Sequence, residues 1–158
     1  MSNSGAAHEV GFRVLAHFPP VDFAFSYGSA VIPQVRADGR ADTRDGKMMD
    51  FIFAVDDPVE WHRNVLTEHP THYSLLGKLG PHAVSLVQSL GAGVYFNPMV
   101  RLTDPSLPLI KYGVVSSKRF RKDLRDWDQY VSNSLSLSLS LFLFFSLGAV
   151  CTASVFLT

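Results

Sequence analysis

From Ser132 to Thr158 the sequence contains no charged residue, and from Ser134 to Leu141 it alternates serine and leucine without a break. A low-complexity stretch of this kind does not share the folding logic of a mixed sequence, so it divides the chain into a portion ending near residue 131 and a tail, 132–158. Three readings of the tail stay open. Leu135 to Leu157 is long enough to cross a bilayer, with Arg119, Arg121, Lys122 and Arg125 upstream of it. Strict alternation also suits a strand, although serine forms strands poorly and no partner is evident from the sequence. Finally, a pyrimidine dinucleotide repeat in a message encodes alternating Ser and Leu, so the tail is expected to be translated intron or aberrant 3′ sequence.

The portion before the tail carries turn signals at intervals that suit alternating short strands and helices. With 47% hydrophobic residues, 12 of them Phe, the 158-residue chain can bury a core of its own, which excludes a disordered protein. The expected organisation is a flexible N-terminus over 1–12, an α/β (α+β) domain over 13–131, and the tail. Fourteen basic residues balance 14 acidic ones, so no strong global field draws the chain to nucleic acid or to an anionic membrane, and no nucleic acid is expected as a partner. One cysteine, Cys151, allows neither an internal disulfide nor a cysteine-rich metal site. Residues 1–11 include Glu9, no Arg and no apolar run, which matches neither a secretory signal nor an Arg-rich transit peptide.

Chemistry enters at Val21 to Val31, VDFAFSYGSAV, where an aromatic strand runs into Gly28-Ser29. Backbone N–H groups can approach a phosphate at such a turn, and Ser29 adds a hydroxyl donor, although Gly-Ser is also an ordinary turn. A charged, Gly-containing loop is expected from Pro33 to Lys47. Met48 to Pro58, MMDFIFAVDDP, then reads as a strand whose alternation puts Asp50, Ile52, Ala54 and Asp56 on one face and Phe51, Phe53 and Val55 on the other. An acid entering an apolar strand needs a partner, either water at the sheet edge or a hard cation such as Mg²⁺. Asp57, Pro58 and Glu60 together signal the start of a helix through Trp61, His62 and Leu66.

Further along, His62, His69, His72 and His82 do not combine with other ligands into a zinc site. Pro81 to Leu90 is expected as a helix whose stripe of Ala83, Val84, Leu86, Val87 and Leu90 enters the core. Gly91-Ala92-Gly93 reads as a turn before a strand through Val94 to Asn97, and Leu107 to Val115 as a further strand. Lys111 in that strand either extends to a sheet edge or neutralises phosphate. Ser116 or Ser117 caps a last helix, with Phe120, Leu124, Trp127 and Tyr130 on its apolar side and Arg and Lys outward.

A strand, Gly-Ser, a loop and a strand bearing an aspartate resemble the polymerase-β-like nucleotidyltransferases. More specifically, YGS, DFIFAVDDP, WHRNVLTEHPTHYS, LGAGVYFNP and IKYGVVS occur in the order found in the mitochondrial phosphatidate cytidylyltransferases, the translocator assembly and maintenance family, from Phe18 to about Tyr130. The resemblance implies an incomplete nucleotidyltransferase mixed sheet with flanking helices. It implies Mg²⁺-dependent transfer of CMP from CTP to phosphatidic acid, giving CDP-diacylglycerol and pyrophosphate for cardiolipin and phosphatidylglycerol synthesis. Asp50 would hold Mg²⁺, Gly28, Ser29, Lys111 and Tyr112 the nucleotide, and Asp50 and Lys111 would carry the catalysis. An anionic lipid surface and a peripheral place on the matrix side of the mitochondrial inner membrane are implied as well. The superfamily's usual second carboxylate falls at Ile52, and the family's sequence continues where this chain has its tail. A catalytically inactive short form, or an interaction protein anchored through the tail, are the alternatives.

Overall fold

A computed structural model describes residues 3–27, 48–90, 93–125 and 154–157. In order, these form α1 (Asn3–Leu15), β1 (Phe23–Tyr27), β2 (Met49–Val55), α2 (Pro58–Glu68), two short 3₁₀ turns (Pro70–His72 and Leu75–Leu79), α3 (Pro81–Leu90), β3 (Val94–Val100), β4 (Ile110–Ser116), α4 (Ser117–Arg125) and β5 (Ser154–Leu157). The strands make one sheet in the order β3-β4-β2-β1-β5. Among the described residues β2 and β4 pair parallel and the other strand pairs antiparallel, so the sheet is mixed, as expected for the fold class.

The central strand explains the layering. β2 alternates as its sequence requires, but both of its faces are apolar because both are covered. Phe51, Phe53 and Val55 join Val14, Ala24, Trp61, Val65, Tyr73, Val84, Tyr112 and Val114 in the main core under the helices. Ile52 and Ala54 face the other way, with Phe25, Tyr27 and Val115, against Phe23, Val94 and Phe120. α2 starts where its signal lies: the Asp57 carboxylate accepts hydrogen bonds from the Val59 and Glu60 amides at 2.9 and 3.1 Å, and Pro58 occupies the first turn. Its buried face is Trp61, His62 and Val65.

Three segments differ from their expected form. Most of the stretch expected as a flexible N-terminus lies in α1, because Val10 and Val14, one turn apart, pack onto the core. Arg13 secures the end of α1 with an ion pair to Asp104 at 2.6 Å. In α3 Val84 of the expected stripe enters the core, together with the polar Gln88, while Leu86, Val87 and Leu90 are 58%, 45% and 73% exposed. The helix is rotated so that Gln88 can meet the buried His62, and a hydrogen bond required inside outranks leucine burial. The tail, whose sequence shows no evident partner strand nearby, contributes β5, whose backbone pairs antiparallel with β1 from Phe23↔Leu157 to Ser26↔Ser154. The remainder of the proposed bilayer span lies outside the described residues; among those described, no helix is long and apolar enough to cross a membrane.

β3 is an edge strand, the position in which Pro98 costs no ladder hydrogen bond, and its register shifts between Asn97 and Val100, where Met99 takes φ 55°. α4 follows β4 directly; the Ser117 hydroxyl donates to the Asp22 carboxylate, tying the helix start to the head of β1. Trp127 and Tyr130, expected on this helix, lie outside the described residues.

Candidate active site

β1 and β2 are antiparallel and β2 and β4 parallel, so the last residue of β1 meets the early residues of both neighbours. The register sets Tyr27 opposite Asp50 and Asp50 opposite Lys111. Three polar side chains thus stand in a row across three strands, on the face opposite the helical core. Lys111 Nζ lies 3.0 Å from Asp50 Oδ1, with the two side chains 25% and 21% exposed. The ammonium also stands 5.9 Å from the centre of the Tyr27 ring and 6.0 Å from that of Phe96. Cation–π attraction therefore adds to the ion pair in placing it. The Tyr27 phenol is held far above its ordinary range, first by burial and then by the Asp50 charge, so it stays protonated.

Gly113 makes room for this arrangement. A Cβ at that position would lie 2.6 Å from the Phe96 ring, 2.8 Å from Val94 and 2.9 Å from Ile52, so only glycine lets Phe96 cross β4 beside Lys111. In the sequence Tyr27 and Phe96 are simply aromatic residues of expected strands. The alternation of β1 puts Tyr27 on a definite face, but nothing local says that this face carries Asp50.

Of the residues expected to act, Asp50 and Lys111 are brought together. Gly28 and Ser29 lie outside the described residues, although Tyr27 immediately precedes them and belongs to the row. Tyr112 is not brought beside them: it follows Lys111 in the strand, so its side chain points to the opposite face, where it is fully buried. There its ring packs on Phe53 and Phe18, and its hydroxyl lies 3.2 Å from His72 Nδ1.

A second polar group sits inside the core. His62 Nε2 lies 2.9 Å from Gln88 Oε1, which can only accept, so this nitrogen carries the proton and Nδ1 accepts from the Tyr73 hydroxyl at 2.6 Å. Burial pushes the His62 ring down from its ordinary range, so it is neutral there. His72 is pushed to about 4, by burial and then by His69, whose ring stacks on it at 4.8 Å. Both rings bond to core side chains, His62 to Tyr73 and Gln88 and His72 to Tyr112, which is a structural use. Among the described residues, no group of three or more His, Cys, Asp or Glu could hold a metal ion. A cavity of about 540 Å³ lies between α2 and the Leu75–Leu79 turn, lined by residues including Arg63, Leu66, Tyr73 and Lys78, and Asp50 and Lys111 are not among them.

A family profile described as phosphatidate cytidylyltransferase, mitochondrial, matches residues 12–135. The chain belongs to the mitochondrial phosphatidate cytidylyltransferase family. Curated members of that family with this name include proteins of Mus musculus, 44% identical over 126 residues, and Danio rerio, 46% identical over 127, each alignment covering 78% of this chain and 36% of the relative. The Schizosaccharomyces pombe relative is 42% identical over 118 residues, covering 73% of this chain and 28% of its own. The chain thus spans about a third of the length of these phosphatidate cytidylyltransferases. The matched segment contains every residue of the row, Tyr27, Asp50 and Lys111, and in sequence also Gly28 and Ser29.

Proposed function

We propose that this chain carries the nucleotide-binding and catalytic sheet of a CTP:phosphatidate cytidylyltransferase. The observation that carries the proposal is the Asp50–Lys111 pair, held across two parallel strands beside the residue that leads into Gly28-Ser29. A half-buried ammonium at that point attracts phosphate more strongly than one in water, because the surrounding dielectric is lower. Gly28 and Ser29 hold the triphosphate, and Lys111 balances charge that builds on its oxygens as the bond to pyrophosphate breaks. A phosphate oxygen of phosphatidic acid attacks the α-phosphorus of CTP, the α–β bridging bond breaks, and CDP-diacylglycerol and pyrophosphate leave.

Magnesium fits the residues present in one way. It commonly takes one or two carboxylates and completes its shell from phosphate and water oxygens, and Asp50 is one partly exposed carboxylate on the Lys111 face, with Ile52 unable to contribute a second. When bound, the ion would neutralise triphosphate charge, with Asp50 as its protein ligand. The product serves cardiolipin and phosphatidylglycerol synthesis, and the protein works at an anionic lipid surface on the matrix side of the mitochondrial inner membrane; family membership supports this reading.

The test is CTP-dependent conversion of phosphatidic acid to CDP-diacylglycerol with Mg²⁺, in this chain and in Asp50→Ala. Conversion lost in the variant is the expected result. Conversion unaffected by Asp50→Ala overturns the assignment of Asp50. Mg²⁺-dependent CTP binding without conversion would assign these residues nucleotide binding alone.

A further inference from the structure

The largest concentration of charge on the described surface takes no part in the site. α4 is nine residues long, SKRFRKDLR, with five cations and one acid. Lys118, Arg121, Lys122 and Arg125 are all exposed, and their spacing of three, four and seven residues aligns them in one stripe along the helix. Beside the stripe, Leu124 is 52% exposed. The inner side of the helix is anchored by Phe120, whose ring stacks on Phe23 at 5.7 Å and on Phe25 at 6.1 Å.

That anchorage decides which way the stripe looks. Phe23 and Phe25 lie on the same sheet face as Tyr27, Asp50 and Lys111, and Phe120 packs in the cluster that contains Tyr27. α4 and the Asp50–Lys111 pair therefore share one side of the molecule. Phe23 and Tyr27 are four residues apart on β1, which places helix and pair on the order of 13 Å apart along the strand.

From this arrangement we infer that α4 is the surface by which the protein docks on an anionic phospholipid bilayer, and that docking turns the Asp50–Lys111 face toward the lipid headgroups. This rests on the reading above that the substrate is phosphatidate, a lipid that must be met at a membrane. Four to eight clustered cations on an amphipathic helix are enough to hold a protein on anionic lipid, and a half-exposed leucine beside them adds apolar contact. A nucleic-acid partner would use the same charge, but it would leave Leu124, half exposed beside the stripe, unused. The exposed leucines of α3 and the Leu75–Leu79 turn lack such a stripe of cations.

Cosedimentation tests this with vesicles of phosphatidylcholine alone and of phosphatidylcholine mixed with phosphatidate. It compares the full chain with the variant Lys118→Gln, Arg121→Gln, Lys122→Gln and Arg125→Gln, and titrates CTP binding in parallel. All four side chains are exposed and glutamine keeps helix propensity, so the fold is expected to persist by circular dichroism. The wild type should bind the phosphatidate vesicles selectively and less tightly as salt rises, and the variant should bind at least about tenfold more weakly with CTP binding unchanged. Equal binding by both proteins, or none by the wild type, overturns the inference while leaving the CTP reading intact. Equal or tighter binding of the wild type to single-stranded RNA, lost in the same variant, overturns it in favour of nucleic acid. Vesicle binding lost in the variant while neither protein binds CTP would uphold the surface and defeat the proposed reaction.

Discussion

Asp50 and Lys111 face each other across the parallel pair β2 and β4, with Nζ 3.0 Å from Oδ1 and each side chain about a quarter exposed. At that exposure an ion pair contributes no more than about 1 kcal/mol to stability. Its residues can therefore be changed with little loss of fold. Lys111→Met is expected to lower CTP-dependent conversion by about a hundredfold or more while the thermal midpoint moves little. Lys111→Met with full conversion would remove Lys111 from the mechanism.

Gly113 makes an opposite prediction. Gly113→Ala adds one methyl group where Phe96, Val94 and Ile52 already stand, so it should destabilise the fold by about 1–3 kcal/mol by urea titration. Combining it with Phe96→Ala should restore part of that loss, because one of the three obstacles is gone.

The buried histidines set an acid limit. His72 takes a proton only near pH 4 when folded, against 6.5 in the unfolded chain, so the unfolded form binds protons first as pH falls. Stability is fully present above pH 6.5 and is lost progressively down to pH 4, by about 3 kcal/mol at most from this one group. His62, shifted the same way, adds to the loss. Urea titrations across this range should show a slope that lessens in His72→Asn; an unchanged slope would place the acid sensitivity elsewhere.

At the start of α2, Asp57→Ala removes the acceptor of the Val59 and Glu60 amides. The expected cost is about 1 kcal/mol, read by chemical denaturation, and Asp57→Ser should recover most of it.

What the sequence discloses and what it hides follow the range of the forces involved. The Asp57-Pro58-Glu60 start of α2 and the alternation of β2 are decided within a few residues, and they appear where they were expected. The face of Lys111 relative to Tyr112 follows from alternation alone, so the two side chains stand on opposite faces of the sheet. The α3 stripe could not be judged in this way. Periodicity identifies Leu86 and Leu90 as one side of a helix, but the orientation is set by Gln88 meeting His62, 26 residues away. Likewise, Tyr27 and Phe96 join the site through strand pairings that no local pattern encodes.

The row of Tyr27, Asp50 and Lys111 also bears on how the sheet finds its alignment. Sliding β2 by one residue would turn Asp50 onto the face that Phe51 and Phe53 occupy in the main core, and sliding β4 would turn the Lys111 ammonium onto the face of Tyr112. Either error strands a charge in hydrocarbon, at a cost of several kcal/mol, comparable to the stability of a small domain. The groups proposed to handle phosphate thus also act as proofreaders of strand assembly, penalising each misaligned sheet before it can settle.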